Sequence, residues 1–216
     1  MVEERLAGPI QTIHPSNFEG VNWFLSPSKS HMIRWLVLAS MSKDKTRISF
    51  DGKPGEDIHS MANCLEKMGI VIKREKEFWE IQGNGPHGFS IPNEVLDCRN
   101  SGTTMRFLIP QLACFSSSAV IDGDWTLRNR HLESSTNSIE QLGAKIESSE
   151  DNLGAPYTIV GPLNSGIVKL DTSKSSQSLS ALVLLGPRMS GPIKIETIGR
   201  SVSNRHAQLT FEIAQK

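Results

Sequence analysis

The chain has 216 residues, 38% hydrophobic and 21% charged, and its 23 basic and 23 acidic side chains leave a formal net charge of zero. That length and balance suit one large folded domain, and they exclude a broadly basic nucleic-acid surface while leaving room for a local basic pocket. No run approaches the ~20 apolar residues of a membrane helix, so no membrane association is expected.

The opening, Met1-Val2-Glu3-Glu4-Arg5, lacks the apolar core of a signal peptide. Residues 6–13 read as a strand, 14–17 as a turn and 21–25 as a second short strand. A helix is expected over residues 29–42, a strand over 46–50, a Gly/Pro turn over 51–55 and a helix over 56–68 closed by Gly69. Paired strands follow at 70–73 and 78–81. The same order then recurs: a helix after Ser101, a strand at 119–122, a loop at 122–126, a helix over 131–142 closed by Gly143, and strands at 144–147 and 157–160. A third pass begins with a strand at 167–170, a helix after Ser175, a strand at 193–196 and a helix opened by Ser203-Asn204-Arg205.

The helix starts carry the chemistry. Ser26-Pro27-Ser28-Lys29-Ser30-His31-Met32-Ile33-Arg34 is a polar turn running into Trp35-Leu36-Val37-Leu38-Ala39. Asn100-Ser101-Gly102-Thr103-Thr104-Met105-Arg106 and Ser175-Ser176-Gln177-Ser178 precede apolar helices in the same way. Ser30, Thr103 and Ser176 stand 73 residues apart, and the helix-closing Gly69 and Gly143 stand 74 apart. Two features keeping step point to repeated structural units. The third unit is expected to be incomplete, because its closing glycine would fall just past Lys216.

The expected fold is therefore α/β (α+β), made of repeated β-α-β-α-β-β units around a pseudo-threefold axis, with the first helices pointing their N-termini to one end. Serine and threonine hydroxyls suit the capping of free helix N–H groups, and those groups with the helix dipole attract anions. Lys29, Arg34, Arg106, Arg128, Arg130 and Arg205 add positive charge, and Gly102 allows close approach to the backbone. A small polyanion is the implied ligand. Other patterns are weaker. Ser26-Pro27-Ser28-Lys29 fits S-x-x-K but lacks the partner motifs of penicillin-recognising enzymes. No phosphate-loop or dinucleotide fingerprint is present. The six histidines show no metal spacing. The three cysteines, Cys64, Cys98 and Cys114, also lack it and are expected to stay reduced, in a cytoplasmic setting.

Four motifs resemble the 5-enolpyruvylshikimate-3-phosphate synthase family: Ser28-Lys29-Ser30 with Arg34, the Asn100 to Arg106 run, Arg128-Asn129-Arg130, and Ser175-Ser176-Gln177 with Ser203 downstream. The resemblance implies transfer of the enolpyruvyl group of phosphoenolpyruvate to the 5-hydroxyl of shikimate 3-phosphate, with release of phosphate and no metal or organic cofactor. It implies two lobes of three units each. Residues 23–216 would be the first lobe, residues 1–22 would belong to the other, and the second lobe would be the partner across the site. Carried over by motif, Lys29 would contact both substrates, and Ser30 and Arg34 would hold the shikimate carboxylate side. Asn100, Gly102 and Thr103 would form the phosphoenolpyruvate loop with Arg130 as its anion clamp. Ser175, Ser176 and Ser203 would bind the 3-phosphate. Gln177 would lie against the reacting groups, making Lys29, Arg130 and Gln177 the catalytic set.

The pattern departs from the family at Pro27, where glycine is usual, at Arg99 and Ser101 beside Asn100, in the Asp51 to Gly55 turn, and at His206, where many members have a tyrosine packed on the shikimate ring. A sister family acting on a UDP-amino sugar carries a cysteine in the loop that corresponds to residues 125–131; this chain has none there. Two alternatives stay open at this point: a related enolpyruvyl transferase with another acceptor, and a non-catalytic lobe that binds a phosphorylated metabolite. On its own the lobe is expected to turn over nothing measurable.

Overall fold

The computed structural model describes residues 25–130, 132–148, 154–200 and 202–215. The strand expected at 6–13, the turn at 14–17, nearly all of the strand at 21–25, the boundary between residues 22 and 23, and His131 lie outside the described residues.

The first repeat contains α1 (Lys29–Ser40), β1 (Lys45–Ser49), α2 (Glu56–Lys67), β2 (Val71–Arg74) and β3 (Phe78–Gln82). The second contains β4 (Leu96–Asp97), α3 (Gly102–Leu112), β5 (Ala119–Asp122), the single turn α4 (Trp125–Arg128), α5 (Glu133–Glu140), β6 (Lys145–Ser148) and β7 (Tyr157–Val160). The third contains β8 (Gly166–Asp171), α6 (Gln177–Leu185), β9 (Ile193–Ile198) and α7 (Asn204–Ala214).

Helix α2 shows why these segments fold as they do. Ile58, Met61, Ala62 and Leu65 fall on one face and are buried, while Glu56 and Asp57 sit in its first turn and Lys67 in its last, matching the helix dipole. It stops at Gly69, whose φ of +86° is costly for any residue with a Cβ. Gly143, at φ +96°, ends α5 in the same manner. The matched spacing of these two glycines is thus a matched backbone requirement.

The three sheets are portions of one template. In the second repeat the order is β4-β5-β7-β6, with β4 parallel to β5 and the other pairs antiparallel. The first repeat shows the β1-β3-β2 part of it, all antiparallel. The third shows the parallel β8-β9 part. Helices pack as a closed ring: α1 on α2, α2 on α3, α3 on α5, α5 on α6, α6 on α7, and α7 back on α1. Each repeat's second helix meets the next repeat's first helix, which is the cyclic arrangement the repeats imply. Inside the ring, α6 packs on both α1 and α3. All but Arg106 of α3 is buried.

Differences from expectation are local. β1 begins one residue earlier than its apolar pattern suggests, because Lys45 still pairs with Gln82 across the sheet. α5 is shorter than the expected 131–142, giving way to a turn after Glu140. β4 is too short to show as an alternating run. The loop after β5 contains α4, since Asp124 accepts hydrogen bonds from the amides of Thr126 and Leu127 and so starts a turn of helix. No helix among the described residues is long and apolar enough to cross a membrane.

Phe107 of α3 is wholly buried beneath the guanidinium of Arg34, 5.1 Å from its ring centre. Phe107→Ala is expected to cost about 3–5 kcal/mol of unfolding free energy, read as a lowered urea midpoint. An unchanged midpoint would show that the centre of the ring is not packed as described.

Candidate anion-binding site

Four helix starts meet around a cavity of about 360 Å³. α1 contributes Lys29, Ser30 and Arg34, and α3 contributes Thr103. The turn into α6 contributes Lys174, Ser175, Ser176 and Gln177, and the start of α7 brings Val202, Ser203 and His206. No acidic residue lines it among the described residues.

A second cavity of about 350 Å³ shares Lys174 and Ser175 with the first. Arg106 and Arg130 lie on its wall, with Glu133 and Asp171 opposite in charge. A larger cavity, about 1130 Å³, lies against Phe50, Phe78 and Trp79 of the first sheet and contains none of the expected site residues. Size therefore does not mark the site here; the convergence of cations and hydroxyls does.

Hydroxyl capping is less general than the sequence suggests. Ser101 does cap α3, accepting from the Thr104 amide at 3.3 Å. Ser28 and Ser176, at the N-caps of α1 and α6, form no side-chain cap. Ser28 instead bonds the His31 ring at 3.1 Å. Ser175 accepts from the Gln177 amide at 3.1 Å. At α6 the first-turn amide of Gln177 is thus taken by Ser175, one residue before the N-cap, and at α1 the N-cap hydroxyl turns to a side chain instead of a first-turn amide.

Arg34 is 2% exposed. Its Nε donates to Thr210 Oγ1 at 2.6 Å, Nη1 to the Ser30 carbonyl at 2.8 Å, and Nη2 to Ser180 Oγ at 3.0 Å and the His206 carbonyl at 3.1 Å. Four of the five N–H groups of the guanidinium are thereby committed among the described residues. Burial pushes its pKa down to about 10, so the group stays charged at neutral pH. The resemblance cast Arg34 as a ligand contact; in the structure most of its donors hold α1, α6 and α7 together.

Arg106 Nη1 donates to the Gly102 carbonyl at 3.1 Å and to Gln177 Oε1 at 3.2 Å, joining the wall of one cavity to that of the other. Burial first, and then the like charge of Arg130, push the Arg106 pKa down. A Cβ on Gly102 would stand 2.9 Å from Arg106 Nη1 and 3.2 Å from Arg130 Nη1. A side chain there would therefore displace the ends of two guanidinium groups that close over the helix start, which is a different role for glycine from ligand approach alone.

Arg130 Nη2 donates to Asn100 Oδ1 at 3.4 Å. Asn100 is oriented from behind, its Nδ2 donating to Asp124 Oδ2 at 3.0 Å and Thr126 Oγ1 at 2.8 Å. The Thr126 hydroxyl is the main cause of the lowered Asp124 pKa. Among the described residues, Arg99 and Ser203 are the non-glycine residues with φ in the left-handed region, at 49° and 55°, and each sits at a turn that feeds this site. Lys29 is held by Asp57 of α2 at 2.7 Å. Arg128 forms paired bonds to Asp122 and so is committed to the fold. Arg205 is not on the wall of either cavity but lines an adjoining depression that shares Ser30 and His206 with the first.

The structure thus brings Lys29, Ser30, Arg34, Thr103, Ser175, Ser176, Gln177, Ser203 and His206 to one cavity and Arg130 to its neighbour, with Asn100 and Gly102 supporting Arg130. Sequence reading missed Lys174, Glu133, Asp57 and Asp124. Lys174 had one available signal, its place directly before Ser175-Ser176-Gln177.

Three repeats with cation-rich helix starts at one end define a lobe of the enolpyruvyl transferase fold. The fold alone is shared with the enolpyruvyl transferase NikO of Streptomyces tendae (TM-score 0.55, 16% identity, 80% of this chain and 39% of that one). The EPSP synthase structure of Acinetobacter baumannii superposes with a TM-score of 0.75 at 25% identity, covering 86% of this chain and 42% of that one. The sequence pattern described as EPSP synthase (3-phosphoshikimate 1-carboxyvinyltransferase) matches residues 21–212. The chain belongs to that family. A 3-phosphoshikimate 1-carboxyvinyltransferase of Methanosarcina mazei is 34% identical over 193 residues, covering 88% of this chain and 44% of the relative. One from Halobacterium salinarum is 31% identical over 208 residues, covering 96% and 47%. The chain spans slightly less than half the length of these relatives.

Arg34→Lys keeps the charge but loses the planar fork, and with it several of the bonds to Thr210, Ser180 and the His206 carbonyl that tie α1 to α6 and α7. The expected cost is about 1–3 kcal/mol, with faster amide hydrogen exchange concentrated in α7. Wild-type exchange in α7 would contradict the bridging role.

Proposed function

We propose that this chain supplies the substrate-binding first lobe of an enzyme that moves the enolpyruvyl group of phosphoenolpyruvate to shikimate 3-phosphate and releases phosphate. The observation that carries the reading is the pair of adjoining cavities, each rich in cations, divided by the Lys174-Ser175 turn. Two anionic substrates that must react need two such sites side by side, because holding both in register removes much of the entropic barrier.

In this reading Ser175, Ser176 and Ser203 hold the 3-phosphate and Ser30 the far side of the acceptor. Arg130, aimed by Asn100 and spaced by Gly102, clamps phosphoenolpyruvate with Thr103 close by. Lys29 reaches both substrates. Gln177, tied to Arg106, lies at the junction where charge would shift during addition of the acceptor oxygen. Fixed cations there favour the charge distribution of a tetrahedral intermediate. A second lobe would close over the open side and complete the acid–base groups, and the setting would be cytoplasmic. His206 lines the acceptor cavity; its imidazole in place of an aromatic phenol favours, as a second reading, the same transfer to a related acceptor.

Titration calorimetry with shikimate 3-phosphate is expected to show saturable one-to-one binding to this chain, and its absence would overturn the lobe assignment. With the complementary lobe supplied, phosphate release from phosphoenolpyruvate should depend on shikimate 3-phosphate. Lys29→Ala and Arg130→Ala should each lower that rate by about 10²-fold or more. Wild-type rates in either variant would remove that residue from the catalytic set.

A further inference from the structure

Lys174 is the cation common to both cavities. Its side chain is 77% exposed, and its partner is Glu133 Oε2 at 3.6 Å, a loose contact longer than a hydrogen bond. Glu133 differs from the other carboxylate on the second cavity. Asp171 is occupied by its own turn, accepting from the Ser173 amide at 2.8 Å. Glu133 sits in the first turn of α5, beside a wall that also carries Arg106 and Arg130, and Lys174 is its one ion-pair partner among the described residues.

We propose that Lys174 is a substrate-binding residue that bridges the two anion sites, and that Glu133 is its resting counter-ion. This rests on the two-substrate reading given above. In the unliganded lobe the ammonium is held loosely at Glu133. A bound phosphate at Ser175 and Ser176 offers a stronger acceptor on the other side of the same turn, and a flexible lysine stem can swing between them. Glu133 then acts against anion binding, by competing for Lys174 and by placing negative charge beside Arg106 and Arg130. No bond is made or broken; the change is an exchange of ion-pair partners.

The test is a double-mutant cycle on shikimate 3-phosphate affinity, measured by calorimetry on the full chain. Lys174→Met, which keeps the stem and removes the charge, should weaken binding about tenfold, the size of one charge-assisted contact. Lys174→Arg should restore most of it. Glu133→Gln should tighten binding severalfold, and this gain should shrink in the Lys174→Met background to the part that comes from charge beside Arg106 and Arg130 alone; a gain of undiminished size there overturns the competition for Lys174. A merely structural ion pair predicts the opposite for Glu133→Gln, a loss rather than a gain. Wild-type binding with both single variants unchanged, or with both weakened, overturns the role of Lys174 and leaves the lobe assignment standing. No binding by the wild-type chain removes both.

Discussion

The guanidinium of Arg34 touches all three repeats. It belongs to the first, lies over Phe107 of the second and donates to Ser180, Thr210 and the His206 carbonyl of the third. It does so while nearly fully buried and without an acidic partner among the described residues. A buried charge is tolerable only when its donors are satisfied, and here carbonyl and hydroxyl oxygens do that work. Those oxygens come from the helices that close the ring, so one side chain couples the packing of three units to the shape of the cavity they share.

The same end of the lobe carries more positive charge than its fold needs. Arg106 and Arg130 face each other over Gly102, and burial and mutual repulsion oppose the charge on Arg106. The neighbouring cavity has no carboxylate on its wall among the described residues. Such an arrangement costs stability and is the usual mark of a site built for a charged ligand. An anion entering either cavity relieves repulsion already present. The binding energy it gains does not have to be spent on gathering the cations.

Much of this was legible in the sequence because repeats leave periodic marks. The 73-residue spacing of Ser30, Thr103 and Ser176 located three helix starts. Gly69 and Gly143 located two helix ends through a backbone conformation that favours glycine. What stayed hidden depends on distant partners. Arg34 reads as a free cation until Thr210, 176 residues away, is seen beside it. Asn100 reads as a ligand group until Asp124 is seen orienting it. Ser28 and Ser176 read as caps, but the backbone around them does not bring the hydroxyl onto a first-turn amide. Hydroxyl identity is written in the sequence, whereas its hydrogen-bond choice is set by packing.

The cations of the site divide by residue type. The arginines are anchored by neutral oxygens: Arg34 as described, Arg106 by Gly102 and Gln177, and Arg130 by Asn100. Lys29 and Lys174 are instead paired with carboxylates, Asp57 and Glu133, each in the first turn of a repeat's second helix. There the helix dipole favours the carboxylate and so steadies the counter-ion. Guanidinium groups held by several directed bonds give a fixed geometry, while ammonium groups on long stems, half or more exposed, can exchange one anion for another at little cost. The two cavities thus combine both kinds of cation, fixed guanidinium groups and exchangeable ammonium groups, with Lys174 on the wall of each.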